Sequence, residues 1–576
     1  MNAQTMKRVG SWVAMMFMVL WSSAMAFAGD MANIVVVAQP DCAQNRAALQ
    51  AALDTAPVEV VLAPGVFCID RPLVVHSRTI IRGSQQDGQR LSSICQIHPA
   101  TSIFHLSNVW GVEIAELNLG LNRSITKISN IAASEGLPCS LSPDIAAAEG
   151  VSCTLNPWNP DACLWRRGSG IAAYNTRGVR VRGLHITGGT YGIALLDQPL
   201  LERPQHGPGA AFSLRTNSKY SSILRVEDDP CSPGRSNVAW TIEDNLIEYA
   251  RDGLLVYNLS HSVVERNTVR ESVRFNGIKI GCGPVRHNRF VANYLARNGV
   301  DGRGDGIDVA WAWTITAKPS ADGRCLETVE DVPDGHFRDN LFAFNLAWGN
   351  GGSGIAMKTK PASFKATDCD GNPFDLPNVP QDIQAFVRND IVGNILWGNG
   401  VGAGDCKPGN CPFSQLELRR LLPLSPEQAS GGMRVFRNIL AADPGQPANG
   451  AFLCKIFNGM EYAGNWHRGS VAVGDQHDIW IEWSNRQKCT MSNVSFLRNF
   501  ADLTDMHLPP PGNPVYQQLV GTSLPATDTA YQSLVDAIVA SHPYHLEDSD
   551  GDSCPNAREA LAGTDHLDPA SVGPCF

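Results

Sequence analysis

The stretch WTIEDNLIEYARDGLLVYN, residues 240–258, contains the pattern that decides the fold. It has a short run of alternating apolar residues, an Asp-Asn turn, a second short run, and a Gly-Leu pair that opens a third run. The same order recurs in SVVERNTVRESVRFNGIKIGCG, residues 262–283, and in FRDNLFAFNLAWGNGGSGIAMKT, residues 337–359. Short strands with a period of two and Gly or Asn turns predict β-structure.

The spacing of this repeat selects the architecture. Related units begin at residues 179, 291 and 386, and no helical pattern separates successive strands. A solenoid of stacked parallel strands explains both observations, with inward Ile, Leu and Val forming the core and turn asparagines stacking into ladders. An antiparallel sandwich is the alternative, but it would require tight hairpins, and few hairpin turns are present. We therefore predict an all-β parallel solenoid with long loop insertions.

The N-terminal region adds a family resemblance. Residues 45–75, NRAALQAALDTAPVEVVLAPGVFCIDRPLVV, resemble the start of the pectin-lyase-like right-handed parallel β-helix superfamily. Members begin with a short amphipathic helix and then V-x-L-x-x-G-x-[YF]-x-I and x-P-L-x-V strands. The resemblance extends over residues 40–500 and implies a helix at residues 45–60 that caps the open end of the core. Many members cleave polysaccharides by hydrolysis or β-elimination, whereas others are adhesins or structural proteins.

Composition and the N-terminal segment predict the compartment. Residues 1–28 have the basic, apolar and small-residue parts of a secretory signal. The 16 cysteines fit disulfides in an oxidising compartment, and no CxxC pair indicates a metal site. A net charge of −10 without a long basic run argues against nucleic-acid binding. We expect a secreted or periplasmic monomer without a membrane span, with a β-helix over residues 29–505 and a tail over residues 506–576.

The glycine of each Gly-hydrophobic pair predicts which side chains share a surface. Because strand side chains alternate, the residues two and four positions after each glycine should point outward. The two predicted outward columns read Ala194, Leu255, Lys279, Asp308, Ala356 and Leu196, Tyr257, Gly281, Ala310, Lys358. Both columns change from apolar to ionic residues in the later turns. Long insertions follow in the chain and would wall a cleft around these residues.

We predict that Lys279, Asp305, Asp308 and Lys358 are the catalytic residues of this groove. Lys358 stands beside small residues, so we expect its amine to reach into open space. We also expect these charges to be exposed and to contribute little to stability. The alternatives are a cross-strand ion pair between Lys279 and Asp308, and a turn-capping role for Asp305.

Four further residues are candidates for binding the substrate. Trp311 and Trp313 follow Asp308 and suit stacking against the apolar faces of sugar rings, although either could pack beneath an insertion. Arg303 and Lys360 add positive charge that suits an anionic chain.

Two reactions fit this set of residues. In β-elimination on a uronate polymer, Lys358 or Lys279 would be the base, and Asp301, Asp305 and Asp308 could hold calcium to neutralise the substrate carboxylate. In hydrolysis, Asp305 and Asp308 would be the paired acids, and the stretch DGID also resembles the NTDGID motif of polygalacturonases. Arg303 and Gly304 replace the Asn-Thr of that motif. We expect a polysaccharide lyase, with a hydrolase or a non-catalytic carbohydrate-binding protein as alternatives.

The C-terminal tail contains a calcium motif. In DSDGDSCPNARE, residues 548–559, the loop positions 1, 3, 5, 9 and 12 of an EF-hand are occupied by Asp548, Asp550, Asp552, Asn556 and Glu559. The segment resembles the thrombospondin type 3-like repeats of secreted bacterial proteins. The resemblance implies a structural calcium ion.

Overall fold

A computed structural model provides the fold of the chain. It describes residues 31–97, 101–121, 168–196, 237–273, 275–281, 285–300, 304–310, 316–319, 326–330, 337–358, 365–367, 373–375, 386–402, 414–421, 432–442, 448–456, 459–468, 479–481, 494–499, 506–507 and 536–540, and the single residues 517, 533, 542 and 554.

Three long sheets make up most of the described part of the chain. The strands of sheet 1 are Ala32–Val36, Val58–Leu62, Thr79–Gly83, Trp110–Ala115, Arg177–Arg182, Asn237–Val238, Thr241–Glu243, Leu259–Ser260, Val263–Glu265, Val285–Arg286, Arg289–Val291, Phe337–Arg338, Leu341–Ala343, Phe386–Val387, Asp390–Val392, Arg434–Phe436, Glu461–Ala463 and Ser495–Leu497. Those of sheet 2 are Gly65–Ile69, Ser92–Gln96, Asn118–Leu121, His185–Thr187, Leu246–Glu248, Thr268–Arg270, Tyr294–Ala296, Leu346–Trp348, Ile395–Trp397, Ile439–Ala441 and Trp466–Arg468. Those of sheet 3 are Leu73–Val75, Phe104–Ser107, Ser169–Tyr174, Tyr191–Leu196, Asp252–Val256, Ile278–Ile280, Ile307–Ala310, Ile355–Lys358, Ser414–Leu421, Asn449–Ile456, Ile479–Ile481 and Met506–His507.

Strand pairing within the three sheets is parallel. The chain visits sheets 1, 2 and 3 in turn, and each strand pairs with its equivalent in the next turn, as Leu254–Val256 does with Ile278–Ile280. Antiparallel pairs within the described residues are three short hairpins, Gln85–Gln86 with Gln89–Arg90, Thr316–Pro319 with Leu326–Glu330, and Lys365–Thr367 with Pro373–Asp375. The predicted parallel β-helix is therefore confirmed, with the right-handed coiling that parallel crossovers take.

The core lies inside the coil and is filled by one side chain in two from each strand. In sheet 3, the residues that lie between the two predicted outward columns are completely buried: Leu195, Val256, Ile280, Val309 and Met357. Aromatic rings continue the stack inside sheet 1, where the ring centroids of Phe290 and Phe342 are 4.9 Å apart. Burial of apolar side chains from every turn stabilises the solenoid.

Close approach of successive turns explains the recurring glycine. A Cβ atom on Gly253 would lie 2.7 Å from the carbonyl oxygen of Gly277, and one on Gly306 would lie 2.6 Å from that of Gly354. Both distances are shorter than van der Waals contact. The Gly-hydrophobic pair is therefore a register mark, because a larger residue would push adjacent turns apart.

Asparagine ladders hold the turns, as the sequence predicts. In the longest ladder each side-chain amide donates to the next side-chain oxygen at 2.8–3.2 Å, and its members are Asn245, Asn267, Asn293, Asn345, Asn394, Asn438, Asn465 and Asn499. A second ladder joins Asn288, Asn340 and Asn389. A third joins Asn298, Asn350 and Asn399 and ends on Gln415, at the turns that lead into sheet 3.

The N-terminal helix covers the first turn but differs from the predicted range. It spans Cys42–Leu53 rather than residues 45–60. Asp41 caps its N-terminus, and the Asp41 carboxylate accepts a hydrogen bond from the Gln44 N–H. Residues 58–62 instead form a strand of sheet 1. The predicted end was wrong because Pro57 disfavours helical geometry in the residue before it. Leu49 and Leu53 join the core, so the capping role is confirmed.

The described cysteines and C-terminal residues bear on the remaining predictions. Cys42 and Cys68 form a disulfide with each other, and Cys95 and Cys554 each take part in a disulfide as well. Ile538 and Val539 pack against the outer face of sheet 2. The strand Met506–His507 still belongs to sheet 3, just beyond the predicted start of the tail at residue 506. Among the described helices, none is long and apolar enough to cross a membrane.

Candidate active site on the outer face of sheet 3

The two predicted outward columns exist in sheet 3. Lys279 is the register partner of Asp308, and Asp308 is that of Ala356. In the second column, Ala310 is aligned with Lys358. Alternation of side chains along these strands thus brings the predicted ionic residues to one surface.

The Lys279–Asp308 pair is the first contact of the site. The ammonium group of Lys279 donates to Oδ2 of Asp308, which is the cross-strand pair considered as the alternative to a catalytic role. The second oxygen of Asp308, Oδ1, lies 3.6 Å from Nζ of Lys358. Two ammonium groups therefore stabilise the negative charge of Asp308.

Lys358 is surrounded by carboxylates instead of reaching into open space. Its Nζ lies 3.0 Å from Oδ2 of Asp305, 3.6 Å from Oδ1 of Asp308 and 4.0 Å from Oε2 of Glu417. Burial lowers the pKa of Lys358, but these carboxylates outweigh that effect and raise the pKa well above its usual value. The ammonium group holds its proton at neutral pH, which favours a charge-stabilising role for Lys358 over that of a base.

The surroundings of Asp305 raise the pKa of its carboxyl group towards neutrality. The net effect of its surroundings raises the pKa of Asp305 to about 6. Burial is the largest cause, Lys358 and the Ser353 N–H oppose it, and the negative charges of Asp308 and Glu417 act with it. A carboxyl group with this pKa exists in both protonation forms near neutral pH, as general acid–base catalysis requires.

Glu417 and Arg419 complete the site and were missed by the sequence analysis. Glu417 follows Ala356 in the first outward column, and Arg419 follows Lys358 in the second. Their strand, Ser414–Leu421, has Gln415 where other turns have the marking glycine, so the Gly-hydrophobic pattern does not reach it. The alternation in SQLELRR was the signal available in the sequence. Nε of Arg419 lies 3.2 Å from Oε1 of Glu417.

A line of hydrogen bonds along the edge of sheet 3 positions Asp305. Oδ1 of Asp252 accepts from the backbone and side-chain N–H groups of Asn276, at 3.1 Å each. The Asn276 side-chain oxygen accepts from the Asp305 N–H at 2.8 Å, and Oδ1 of Asp305 accepts from the Ser353 N–H at 2.6 Å. Oδ1 of Asp305 therefore bonds to the backbone of the next solenoid turn rather than capping its own turn, and Oδ2 contacts Lys358.

The charges are more buried than predicted. The side chains of Asp305, Asp308 and Glu417 are 3%, 8% and 3% exposed, whereas those of Lys279 and Lys358 are 20% and 24% exposed. The expectation of exposed charges is wrong, because carboxylates and ammonium groups from four adjacent turns pack against one another. Removal of one partner would leave a buried charge uncompensated.

Long connections begin beside this cluster. A two-residue link joins Val256 of sheet 3 to Leu259 of sheet 1, but five other connections between these sheets are much longer. They run from Leu196 to Asn237, from Ala310 to Phe337, from Lys358 to Phe386, from Leu421 to Arg434 and from Ile481 to Ser495. Three of the five leave strands that carry Asp308, Lys358 or Glu417.

Several predicted site residues lie outside the described residues. They are the substrate-binding candidates Arg303, Trp311, Trp313 and Lys360, the calcium-loop residues Asp548, Asp550, Asp552, Asn556 and Glu559, and Asp301. Within the described parts of the chain, no group of three or more His, Cys, Asp or Glu residues could hold a metal ion. Asp305 and Asp308 contact ammonium groups, which would repel calcium, so these two residues do not fit the groove calcium considered above.

Comparisons with known proteins find similar solved structures, but no family model and no curated protein matches the chain. It is similar to the mannuronan C-5 epimerase AlgE6 A-module of Azotobacter vinelandii, with 10% identity and a TM-score of 0.45 over 85% of this chain and 94% of that one. The catalytic unit of a GH87 alpha-1,3-glucanase from Streptomyces thermodiastaticus matches with 14% identity and a TM-score of 0.41, over 82% and 70%. The Dettilon tailspike protein matches with 13% identity and a TM-score of 0.39, over 78% and 68%. These values are too low to carry an argument about the chemistry of this chain.

Proposed function

We propose that the chain is an exported polysaccharide-cleaving enzyme that hydrolyses glycosidic bonds, with Asp305 as general acid and Asp308 as the ionised partner. The observation that carries the proposal is the contact of both carboxylates with one lysine, Lys358. The two environments differ, because burial raises the pKa of Asp305 to about 6 whereas Asp308 lies between two ammonium groups. Carboxylates whose environments separate their protonation are the pattern of an acid and its ionised partner.

The distance between the two carboxylates supports this assignment. Oδ2 of Asp305 and Oδ1 of Asp308 lie 3.0 and 3.6 Å from the same nitrogen, so their separation does not exceed the sum of these distances. Retaining glycosidases hold their carboxyl groups about 5–5.5 Å apart, and inverting enzymes about 6.5–9.5 Å apart. The pair is therefore close enough for retention and reaches only the short end of the range for inversion.

β-Elimination is the second candidate, favoured by the row of cations on this surface. Lys279, Lys358 and Arg419 could neutralise the carboxylate of a uronate chain. The raised pKa of Lys358 counts against its use as the base, because the proton would have to leave an ammonium group held by carboxylates. We therefore rank hydrolysis above elimination.

The test is digestion of a panel of neutral and uronate polysaccharides with two simultaneous assays. Reducing sugar without new ultraviolet absorbance indicates hydrolysis, whereas absorbance of unsaturated uronides indicates elimination. Asp305→Asn should lower the turnover of the best substrate by about two to four powers of ten. The asparagine retains a side-chain oxygen for the Ser353 N–H, so the strand edge is preserved.

Asp339→Asn is the matched control. Asp339 lies between two strands of sheet 1, outside the cluster, and its carboxylate accepts hydrogen bonds from Arg388. The same chemical change there should leave turnover within about twofold of the wild-type value. Equal loss in both variants would point to a structural effect and contradict the proposal. Binding of a polysaccharide without either product would favour a non-catalytic carbohydrate-binding protein.

A further inference from the structure

Ser353 joins two carboxylates that belong to different turns of the solenoid. Its N–H donates to Oδ1 of Asp305 at 2.6 Å, and its hydroxyl donates to Oε2 of Glu417 at 3.2 Å. The hydroxyl oxygen also accepts from the Ser414 N–H at 3.3 Å. This bond occupies the oxygen as an acceptor and leaves the hydroxyl hydrogen for Glu417. Ser353 is completely buried, so water does not compete for these bonds.

Glu417 is fixed from both sides. Oε2 receives the Ser353 hydroxyl, and Oε1 lies 3.2 Å from Nε of Arg419. Arg419 in turn stacks on Phe452, with its guanidinium carbon 4.8 Å from the ring centroid. A carboxylate held by two donors, one of which is itself packed on a buried ring, keeps a constant distance from its neighbours.

We propose that Ser353 and Glu417 are positioning residues that fix the orientation of Asp305 and keep its proton in place. This inference rests on the proposed function, because it gives Asp305 the role of acid. The Ser353 N–H aims Oδ1 of Asp305 along the sheet edge, which directs Oδ2 towards the outer face. The negative charge of Glu417, one turn beyond Ser353, disfavours a second negative charge on Asp305.

The charged groups around Asp305 come from four strands. Asp308 lies on its own strand, Lys358 and Glu417 lie on the next two strands, and Lys279 pairs with Asp308 from the preceding one. Asp308 and Glu417 raise the pKa of Asp305, and Lys358 lowers it. Of the two anions, Glu417 is the one that can be neutralised without removing the proposed catalytic partner.

Glu417→Gln is the decisive variant. It keeps the shape of the side chain and an oxygen for Ser353, and it removes one negative charge. The alkaline limb of the kcat/KM profile, which we attribute to ionisation of Asp305, should move to lower pH by about one unit. Glu461→Gln, the same change on the exposed face of sheet 1, should leave the limb in place.

Ser353→Ala provides a second variant if Glu417→Gln does not fold. It retains the backbone bond to Asp305 and removes only the hydroxyl that holds Glu417. Because Glu417 would then be held less closely to Asp305, the alkaline limb should move in the same direction by a smaller amount. Ser353→Thr, which retains a hydroxyl, should restore part of the wild-type profile. A fall in turnover at every pH without movement of the limb, in both variants, would overturn the inference and leave these residues a structural role.

A titration without substrate separates this inference from the proposed function. Infrared spectra of the protein labelled with ¹³C-aspartate, minus those of Asp305→Asn, report the protonation of Asp305 directly. The midpoint should fall in Glu417→Gln. If the midpoint falls but no polysaccharide is cleaved, the coupling stands and the proposed hydrolysis fails. If cleavage occurs and the midpoint is unchanged, the hydrolysis stands and the coupling is refuted.

Discussion

Replacement of Lys358 by methionine should destabilise the protein, and the size of the effect follows from the contacts of its ammonium group. Nζ lies 3.0, 3.6 and 4.0 Å from oxygens of Asp305, Asp308 and Glu417. Methionine fills a similar volume without the charge. The variant would leave these buried carboxylates facing one another, with Lys279 and Arg419 as the remaining cations.

The expected cost is about 3–5 kcal/mol in the free energy of unfolding. At an effective dielectric constant of about 20, each of the three contacts contributes roughly 4–6 kcal/mol of Coulomb attraction. Much of that attraction is offset by the desolvation of the charges. Loss of one partner from a buried ion pair costs about 3–5 kcal/mol because the other charge stays buried. The 24% exposure of the Lys358 side chain places the estimate towards the lower end of this range.

The cost should depend on pH, and this dependence separates the ionic effect from a packing defect. Without the ammonium group, protons bind the carboxylates more readily at low pH and relieve their repulsion. The loss should therefore be largest above about pH 7 and should decrease towards about pH 5. Urea denaturation followed by circular dichroism across this range measures it.

Two controls define the result that would refute the reasoning. Lys358→Arg keeps the charge and should lose less stability than Lys358→Met. Arg434→Met removes an exposed partner of Asp390, with 62% of the arginine side chain accessible, and should cost less than about 1 kcal/mol. A loss in Lys358→Met that is as small as that of Arg434→Met and does not vary with pH would show that the ammonium group is not held among the carboxylates.

Three further predictions follow from other parts of the molecule. Asp305 binds its proton more tightly in the folded protein, where its pKa is about 6, than in the unfolded chain. The stability of the wild type should therefore fall relative to that of Asp305→Asn by about 2–3 kcal/mol as the pH rises from about 4 to about 7. Urea midpoints of the two proteins that remain parallel over this range would contradict the raised pKa. Asn345→Ala removes side-chain bonds to Asn293, Asn394 and the Phe290 carbonyl and should cost about 3 kcal/mol or more in the free energy of unfolding. Asn33→Ala at an exposed site should cost under about 1 kcal/mol in the same assay. We also predict that Asp548, Asp550, Asp552, Asn556 and Glu559 bind one calcium ion, so a chain ending at residue 540 should bind one ion fewer in calorimetry; equal uptake by both chains would remove this prediction.

The sequence by itself determined the solenoid, its register and the outward position of three ionic residues, Lys279, Asp308 and Lys358. These properties depend on local regularities: side chains alternate along each strand, glycine marks the place where the next turn approaches, and asparagine bonds to its equivalent one turn away. Because every turn contacts mainly its neighbours, the alignment of repeats is also the alignment in space. For this reason Lys279 and Asp308 could be paired from the printed sequence, and the register of Ala310 with Lys358 could be predicted.

Tertiary structure decided the chemistry of that surface. Glu417 reaches the cluster after a long connection and on a strand without the glycine mark, so repeat alignment stops short of it. Lys358 contacts Asp305 and Asp308 from the preceding turn, and its long side chain could equally have extended away from the sheet. The protonation of Asp305 depends on burial and on the sum of charges from several turns. Such a sum is set by distances in three dimensions, and no period in the sequence encodes it.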